Sequence, residues 1–286
     1  MKYLLDTNVF RDLAEGDLPE EAAKIEASLG AGIVLPFYTC EIVIDELLGR
    51  LGGCSPSMFS RIRSSFLWMD RICGNSRVAP SLVNVGRLGF YSRPQLVPDD
   101  DTIKRNRLRR MILKAQGMND LTASIRSALV ELRPYLDTKL DSWAEDKEQI
   151  RQLLRSTESA RSGKLSQAEV VAFILETHRS SLREVATRFE SEHGPQHEPA
   201  RLDDDFREFS YFEVGMMMKA VLNDDYNFAK HRNDCHDHKL CAYIGLGFVL
   251  VTRDRRILDN LSRAGCPSPR VATLAQALEQ AIHAAG

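Results

Sequence analysis

Four stretches of the chain end or centre on acidic side chains in settings suited to cation chemistry. The apolar run Tyr3-Leu4-Leu5 stops at Asp6, followed by Thr7-Asn8, and the apolar run Phe248-Val249-Leu250-Val251 stops at Thr252-Arg253-Asp254. Asp234 and Asp237 lie three residues apart in Asn233-Asp234-Cys235-His236-Asp237, which puts both on one face of a helix. Glu46, with Asp45 beside it, sits in a helical stretch that follows a second apolar run. Gathered carboxylates raise one another's pKa and are costly to hold together. A hard divalent cation, which takes carboxylate oxygens, removes that cost.

Short apolar runs bounded by polar residues read as buried parallel strands. In open α/β sheets the carboxyl ends of such strands are where ligands bind, so two strand ends carrying acids point to a cation site at one sheet edge. The strand at residues 2–5 leads into a helical stretch ending near Leu29-Gly30, and Gly32-Ile33-Val34-Leu35-Pro36 reads as a second strand. Thr39 is placed to cap a helix carrying Ile42, Val43, Leu47 and Leu48. Gly52-Gly53 and Ser55-Pro56-Ser57 close that unit. The α/β pattern returns near residue 212: a helix at 233–243, a strand at 248–252, a helix with Ile257, Leu258 and Leu261, a short strand at 270–273 and an Ala-rich helix.

The middle is helical. Ile125, Leu129, Leu132, Leu136, Leu140 and Trp143 recur at steps of three and four, with Pro134 as a kink or break. A second stripe is Phe173, Ile174, Leu182, Val185 and Phe189, and residues 193–199 read as a loop. The simplest architecture is one discontinuous α/β domain made of residues 1–54 and 212–286, with a helical insertion at 55–211.

Asp6-Thr7-Asn8, the Glu46-Leu47 pair, Asn233-Asp234-x-x-Asp237 and Thr252-Arg253-Asp254, in that order and those contexts, resemble the PIN-domain nuclease pattern. The resemblance covers roughly 1–54 and 225–286 and leaves the insertion out. It implies a three-layer α/β/α fold with a central parallel sheet. It also implies a metal-dependent nuclease, most simply a ribonuclease, that hydrolyses phosphodiesters with a water activated by Mg²⁺ or Mn²⁺. Asp6, Glu46, Asp237 and Asp254 would be the catalytic and metal-binding acids, with Asp234 as an alternative or addition to Asp237, and Asp45 an alternative to Glu46. Asn8 and Thr252 would orient these groups or the water. Bound metal would stabilise charge on the scissile phosphate. The contrasting reading is a PIN-like module with weak or lost catalysis that binds RNA or protein.

Other chemistries fit less well. The position two residues after Asp6 is Asn8, where a haloacid-dehalogenase phosphatase needs a second acid, and no glycine-rich phosphate loop, Gly-x-Ser-x-Gly or His-Glu-x-x-His occurs. His231, Cys235, His236, His238 and Cys241 crowd eleven residues, but no second Cys/His pair follows to complete a zinc site, and they read as ordinary helix residues.

In 286 residues the net charge is −2, so any nucleic-acid contact must come from a local patch. Residues 102–119 supply one: Lys104, Arg105, Arg107, Arg109, Arg110 and Lys114, with no acid. Leu108, Met111, Ile112 and Ala115 give that stretch an apolar face, leaving the arginines for RNA phosphates, or for a solvated surface. RNA is the expected partner and DNA the alternative. An inhibitor protein, as for a toxin, or a second copy of the chain are partners the sequence leaves open. Six scattered cysteines without a C-x-x-C pair read as free thiols. No apolar stretch approaches the roughly 20 residues that span a bilayer. With no signal-like N-terminus, the chain reads as cytoplasmic.

Overall fold

A computed structural model describes residues 1–81, 100–157, 166–193, 206–223 and 225–285. Its sheet has four parallel strands in the order β2-β1-β3-β4: β1 Lys2–Leu5, β2 Phe37–Tyr38, β3 Phe248–Val251 and β4 Val271–Ala272. The two ends of the chain therefore build one sheet. β1 and β3 are in register, Leu5 opposite Val251, so Asp6 and Thr252 leave the sheet side by side. Tyr3, Leu4, Leu5, Phe248, Leu250 and Val251 are buried, as central parallel strands require. Each such side chain contributes about 1.5–3 kcal/mol of burial. Tyr3 packs edge-on to Phe37, with ring centroids 5.5 Å apart.

After β1 the chain makes two helices where the sequence suggests one stretch, α1 Thr7–Glu15 and α2 Pro19–Gly30. Gly16 stops the first in the left-handed conformation (φ 81°), and Pro19 opens the second followed by Glu20 and Glu21. The second strand falls at Phe37–Tyr38 rather than 32–36. Within the expected run, Pro36 gives the sheet a backbone contact, its carbonyl accepting from the Tyr3 N–H, and Leu35 is buried in the core. Thr39 does not cap the next helix, α3 Glu41–Gly49, whose N-cap is Cys40. Instead the Thr39 backbone pairs with Val78, carrying the sheet edge one bridge further.

The remaining helices are α4 Pro56–Cys73, α5 Asp100–Lys114, α6 Ala123–Arg155, α7 Gln167–His193, α8 Arg207–Leu222, α9 Asp234–Ile244, α10 Arg255–Arg263 and α11 Leu274–His283, with a 3₁₀ turn at Met118–Asp120. α4 lies against α1 and β2, and α8 runs straight through residue 212. α6 is continuous through Pro134, which lies on the solvent side, where water can take the carbonyl left without its partner. Ile125, Leu129, Leu140 and Ala144 form its buried stripe. Of the second stripe, Ile174 is buried; the side chains of Leu182, Val185 and Phe189 are not described, and the loop after His193 lies outside the described residues.

α8 joins the two parts. It is buried almost all round (Phe212, Val214, Met216, Met217, Met218) and packs on α6, α7, α9 and α10. Gly215 allows the approach to α10, since a Cβ there would lie 1.9 Å from the Asn260 carbonyl oxygen. Buried Glu208 on α8 is satisfied by Arg270, which donates to both its oxygens at 3.0 and 2.9 Å. Among the described residues, all six cysteines are free thiols, and no helix is long and apolar enough to cross a membrane.

Candidate active site

Three carboxylates meet beyond the carboxyl ends of β1 and β3. Asp6 is the N-cap of α1, and its Oδ1 accepts the Thr7 N–H at 2.6 Å. Its Oδ2 accepts the Thr252 hydroxyl at 2.7 Å and the Asn8 amide at 3.3 Å. Thr252 Oγ1 in turn accepts the Asp254 N–H at 2.9 Å. One threonine thus ties the acid after β1 to the loop that carries the acid after β3. Capping and cation chemistry are compatible here, because the cap bond fixes the carboxylate without removing its charge.

Asp237 enters from α9, whose first turn also holds Asp234. It is buried, and its Oδ2 has no hydrogen-bond partner. Burial and the charges of Asp6 and Asp254 push its pKa well above the carboxylate range. Asp6 is raised to about 6, by burial first and then by the charges of Glu46 and Asp254, against the stabilising bonds from Thr252 and Thr7. Asp254 goes the other way: burial pushes it up, but hydrogen bonds from Arg256 outweigh this and hold it low. Asp234 is raised by burial, despite Arg256 and a hydrogen bond from the Tyr226 hydroxyl at 3.1 Å.

Glu46, on α3, faces the same cluster. Its charge is felt at Asp6, and its own partners are Arg50 at 2.8 Å and His236 Nδ1 at 3.9 Å. Its neighbour Asp45 points elsewhere, taking Arg105 Nε on both oxygens at 2.7 and 2.8 Å. Of Asp45 and Glu46, Glu46 is thus the one whose charge acts on Asp6.

One residue was not singled out in the sequence. Arg256, in the first turn of α10, lays its guanidinium across the carboxylates: Nη1 is 3.3 Å from Asp234 Oδ1, Nη2 is 3.6 Å from Asp237 Oδ2, and Nε is 3.0 Å from both oxygens of Asp254. Nη2 also pairs closely with Asp254 Oδ2. Its side chain is 48% exposed, so it reaches in from solvent. The Asp254-Arg255-Arg256 sequence is the only local signal, and an arginine two residues after a helix cap is ordinary.

The expected basic face divides. Arg105 is held by Asp45 and by Glu41 at 3.4 Å, and Arg109 is fully buried, donating to the Gly74 carbonyl and Asn75 Oδ1 at 3.1 Å with Asp70 at 3.4 Å. Both are internal struts between α5 and its neighbours α3 and α4, so neither is presented to RNA phosphates. Arg107 and Arg110 are exposed and, with Lys114 and Asn75, line a surface cavity. Helical spacing counted four arginines on one polar face because it could not know that acids from α3 and α4 lie beneath two of them.

The His/Cys run also divides. His231 stacks on Tyr226 at 4.6 Å, His236 faces Glu46, and Cys235 and Cys241 are buried thiols. His238 turns away from the acids toward α7 and α8, where it meets Glu213 and His178.

In comparisons with known proteins, the chain matches no family model, no curated protein and no solved structure.

Proposed function

We propose that this protein is a metal-dependent nuclease of PIN type, a ribonuclease in the first instance, with the three-layer fold that its sequence pattern resembles. One observation carries the reading. Asp237 Oδ2 is a buried carboxylate oxygen without a hydrogen-bond partner, in the field of Asp6 and Asp254. An isolated arrangement of this kind is unfavourable, and a cation repays it. The donor set is all oxygen, which fits Mg²⁺ or Mn²⁺. Asp6, Asp237 and Asp254 would hold the ion, with Glu46 and Asp234 alongside. When bound, such an ion lowers the pKa of a coordinated water and offsets charge at a scissile phosphate.

The chain's own groups do the positioning. Thr252 and Asn8 fix the Asp6 carboxylate. Tyr226 holds Asp234. Arg256 balances part of the negative charge in the metal-free protein and, being half exposed, can swing aside or turn to a phosphate. Arg107, Arg110 and Lys114 supply exposed cations for an RNA backbone.

Arg256 also favours a second reading, in which the guanidinium stands permanently in place of a metal and the protein binds RNA without cutting it. Incubation of RNA and DNA oligonucleotides with Mg²⁺ or Mn²⁺, with and without EDTA, separates the two. The nuclease reading expects RNA cleavage that EDTA and Asp237→Asn each abolish. RNA that is bound but intact with every metal would favour the second.

A further inference from the structure

Away from the acidic cluster, three helices bring together two imidazoles and a carboxylate. His178 comes from α7, Glu213 from α8 and His238 from α9, and one ligand atom from each lies within 4.8 Å of the other two. Glu213 is buried, with 1% of its side chain exposed. Its Oε2 faces both rings, 2.5 Å from His178 Nε2 and 3.5 Å from His238 Nε2. His238 Nε2 is buried, has no hydrogen-bond partner and is aimed at that oxygen.

We propose that His178, Glu213 and His238 form a second metal site, selective for a divalent transition metal of the zinc class. Three features point there. The donors are two nitrogens and one oxygen, which suits zinc and its neighbours better than magnesium or calcium. Tetrahedral ligands at about 2.1 Å from a metal stand about 3.4 Å apart, close to the His238–Glu213 separation, and the shorter His178–Glu213 hydrogen bond, at 2.5 Å, would open to admit the ion. The remaining ring positions are supported, as metal-binding histidines usually are. His178 Nδ1 meets Ser210 Oγ at 3.0 Å, and a hydrogen bond to the Phe209 backbone holds the His238 ring, which also stacks on Phe209 at 3.9 Å. Lys147 occupies the other carboxylate oxygen, Oε1, at 2.6 Å and leaves Oε2 for the metal. Three protein ligands leave a fourth position for water. The site ties the insertion helix α7 to α9, where His238 directly follows Asp237.

The test uses the full chain, stripped with chelator and then kept in excess Mg²⁺ so that oxygen-only sites are filled. Co²⁺ is titrated while visible d–d absorption is recorded. The proposal expects one equivalent bound with nitrogen-type bands, displaced by Zn²⁺, and a Tm raised by Zn²⁺. His238→Ala and His178→Gln should each lose at least a hundredfold in Co²⁺ affinity and lose the Zn²⁺-dependent rise in Tm, while Asp254→Asn keeps both. Absence of bands in the wild type would overturn it, as would bands that survive in His178→Gln or vanish in Asp254→Asn. If His238→Ala does not fold, His178→Gln decides alone, because that ring sits at the partly exposed end of the group.

Discussion

Arg256 Nη2 lies 3.6 Å from Asp237 Oδ2, near enough to act on its charge and too far to hydrogen-bond it. The guanidinium therefore neutralises the cluster in part while leaving that oxygen available. On the metal-dependent reading, Arg256 and a divalent ion would compete for the same carboxylates. Arg256→Met should bind Mn²⁺ about tenfold more tightly, the equivalent of roughly 1.4 kcal/mol, and should lower the Tm of the metal-free protein. Calorimetric titration with Mn²⁺ checks the first, and thermal melting in EDTA the second. Weaker Mn²⁺ binding would show that the arginine supports the site rather than competes for it.

The raised pKa of Asp6 has a definite sign in stability. Its carboxyl moves from 3.8 to about 6 on folding, so the native state holds the proton over a range in which the unfolded chain has released it. That stabilisation is complete below about pH 4 and is lost as pH rises toward 6. At neutral pH the deficit is about 3 kcal/mol. Asp6→Asn escapes it but gives up an acceptor, at a cost of about 1 kcal/mol. In EDTA the variant should be roughly 2 kcal/mol more stable than wild type at pH 7 and no more stable at pH 4. Urea titrations at both values measure the difference, and a gap that does not grow with pH would refute the assignment.

The two classes of arginine on α5 should separate cleanly. Arg105→Gln strands Asp45 and should cost roughly 2–4 kcal/mol of stability. Arg107→Gln, Arg110→Gln and Lys114→Gln together should leave stability within about 0.5 kcal/mol, as surface changes do. The triple variant should bind RNA more weakly and lower the slope of log affinity against log salt by about 2. Fluorescence anisotropy at three salt concentrations reads this directly, and an unchanged slope would place RNA on another surface.

Gly215→Ala is the sharpest packing test. The new Cβ would meet the Asn260 carbonyl at 1.9 Å, backbone that cannot rotate away. Separating α8 from α10 should cost about 3 kcal/mol or more. A melt within one degree of wild type would mean that this helix contact is far more plastic than its close approach suggests.

The acids that the structure brings together were those whose local setting could be read in sequence: an apolar run that stops at Asp6, another that stops near Asp254, and a helical spacing that pairs Asp234 with Asp237. Each signal is local, and the sheet register then places the two strand ends together. The helix break at Gly16 and Pro19 carried its own signals, but the flanking residues read as one helical stretch. What escaped was set by tertiary contact. The spacing on α5 could not say that Asp45 and Asp70 claim Arg105 and Arg109. No spacing joins His178, Glu213 and His238, which come from three helices. The second strand slipped because Ile33 and Val34 are as apolar as a strand needs, yet only Phe37 and Tyr38 align with β1.

The hydrogen bond between Thr252 and Asp6 spans 246 residues of chain. On a ribosome the first strand must wait for its partner until nearly everything between has been made, about 12–50 s at ordinary rates of synthesis. Until Thr252 and Asp254 emerge, the carboxylates cannot meet. A nascent chain therefore has no assembled acidic cluster, and on the proposed reading no cutting centre, until those residues have left the ribosome.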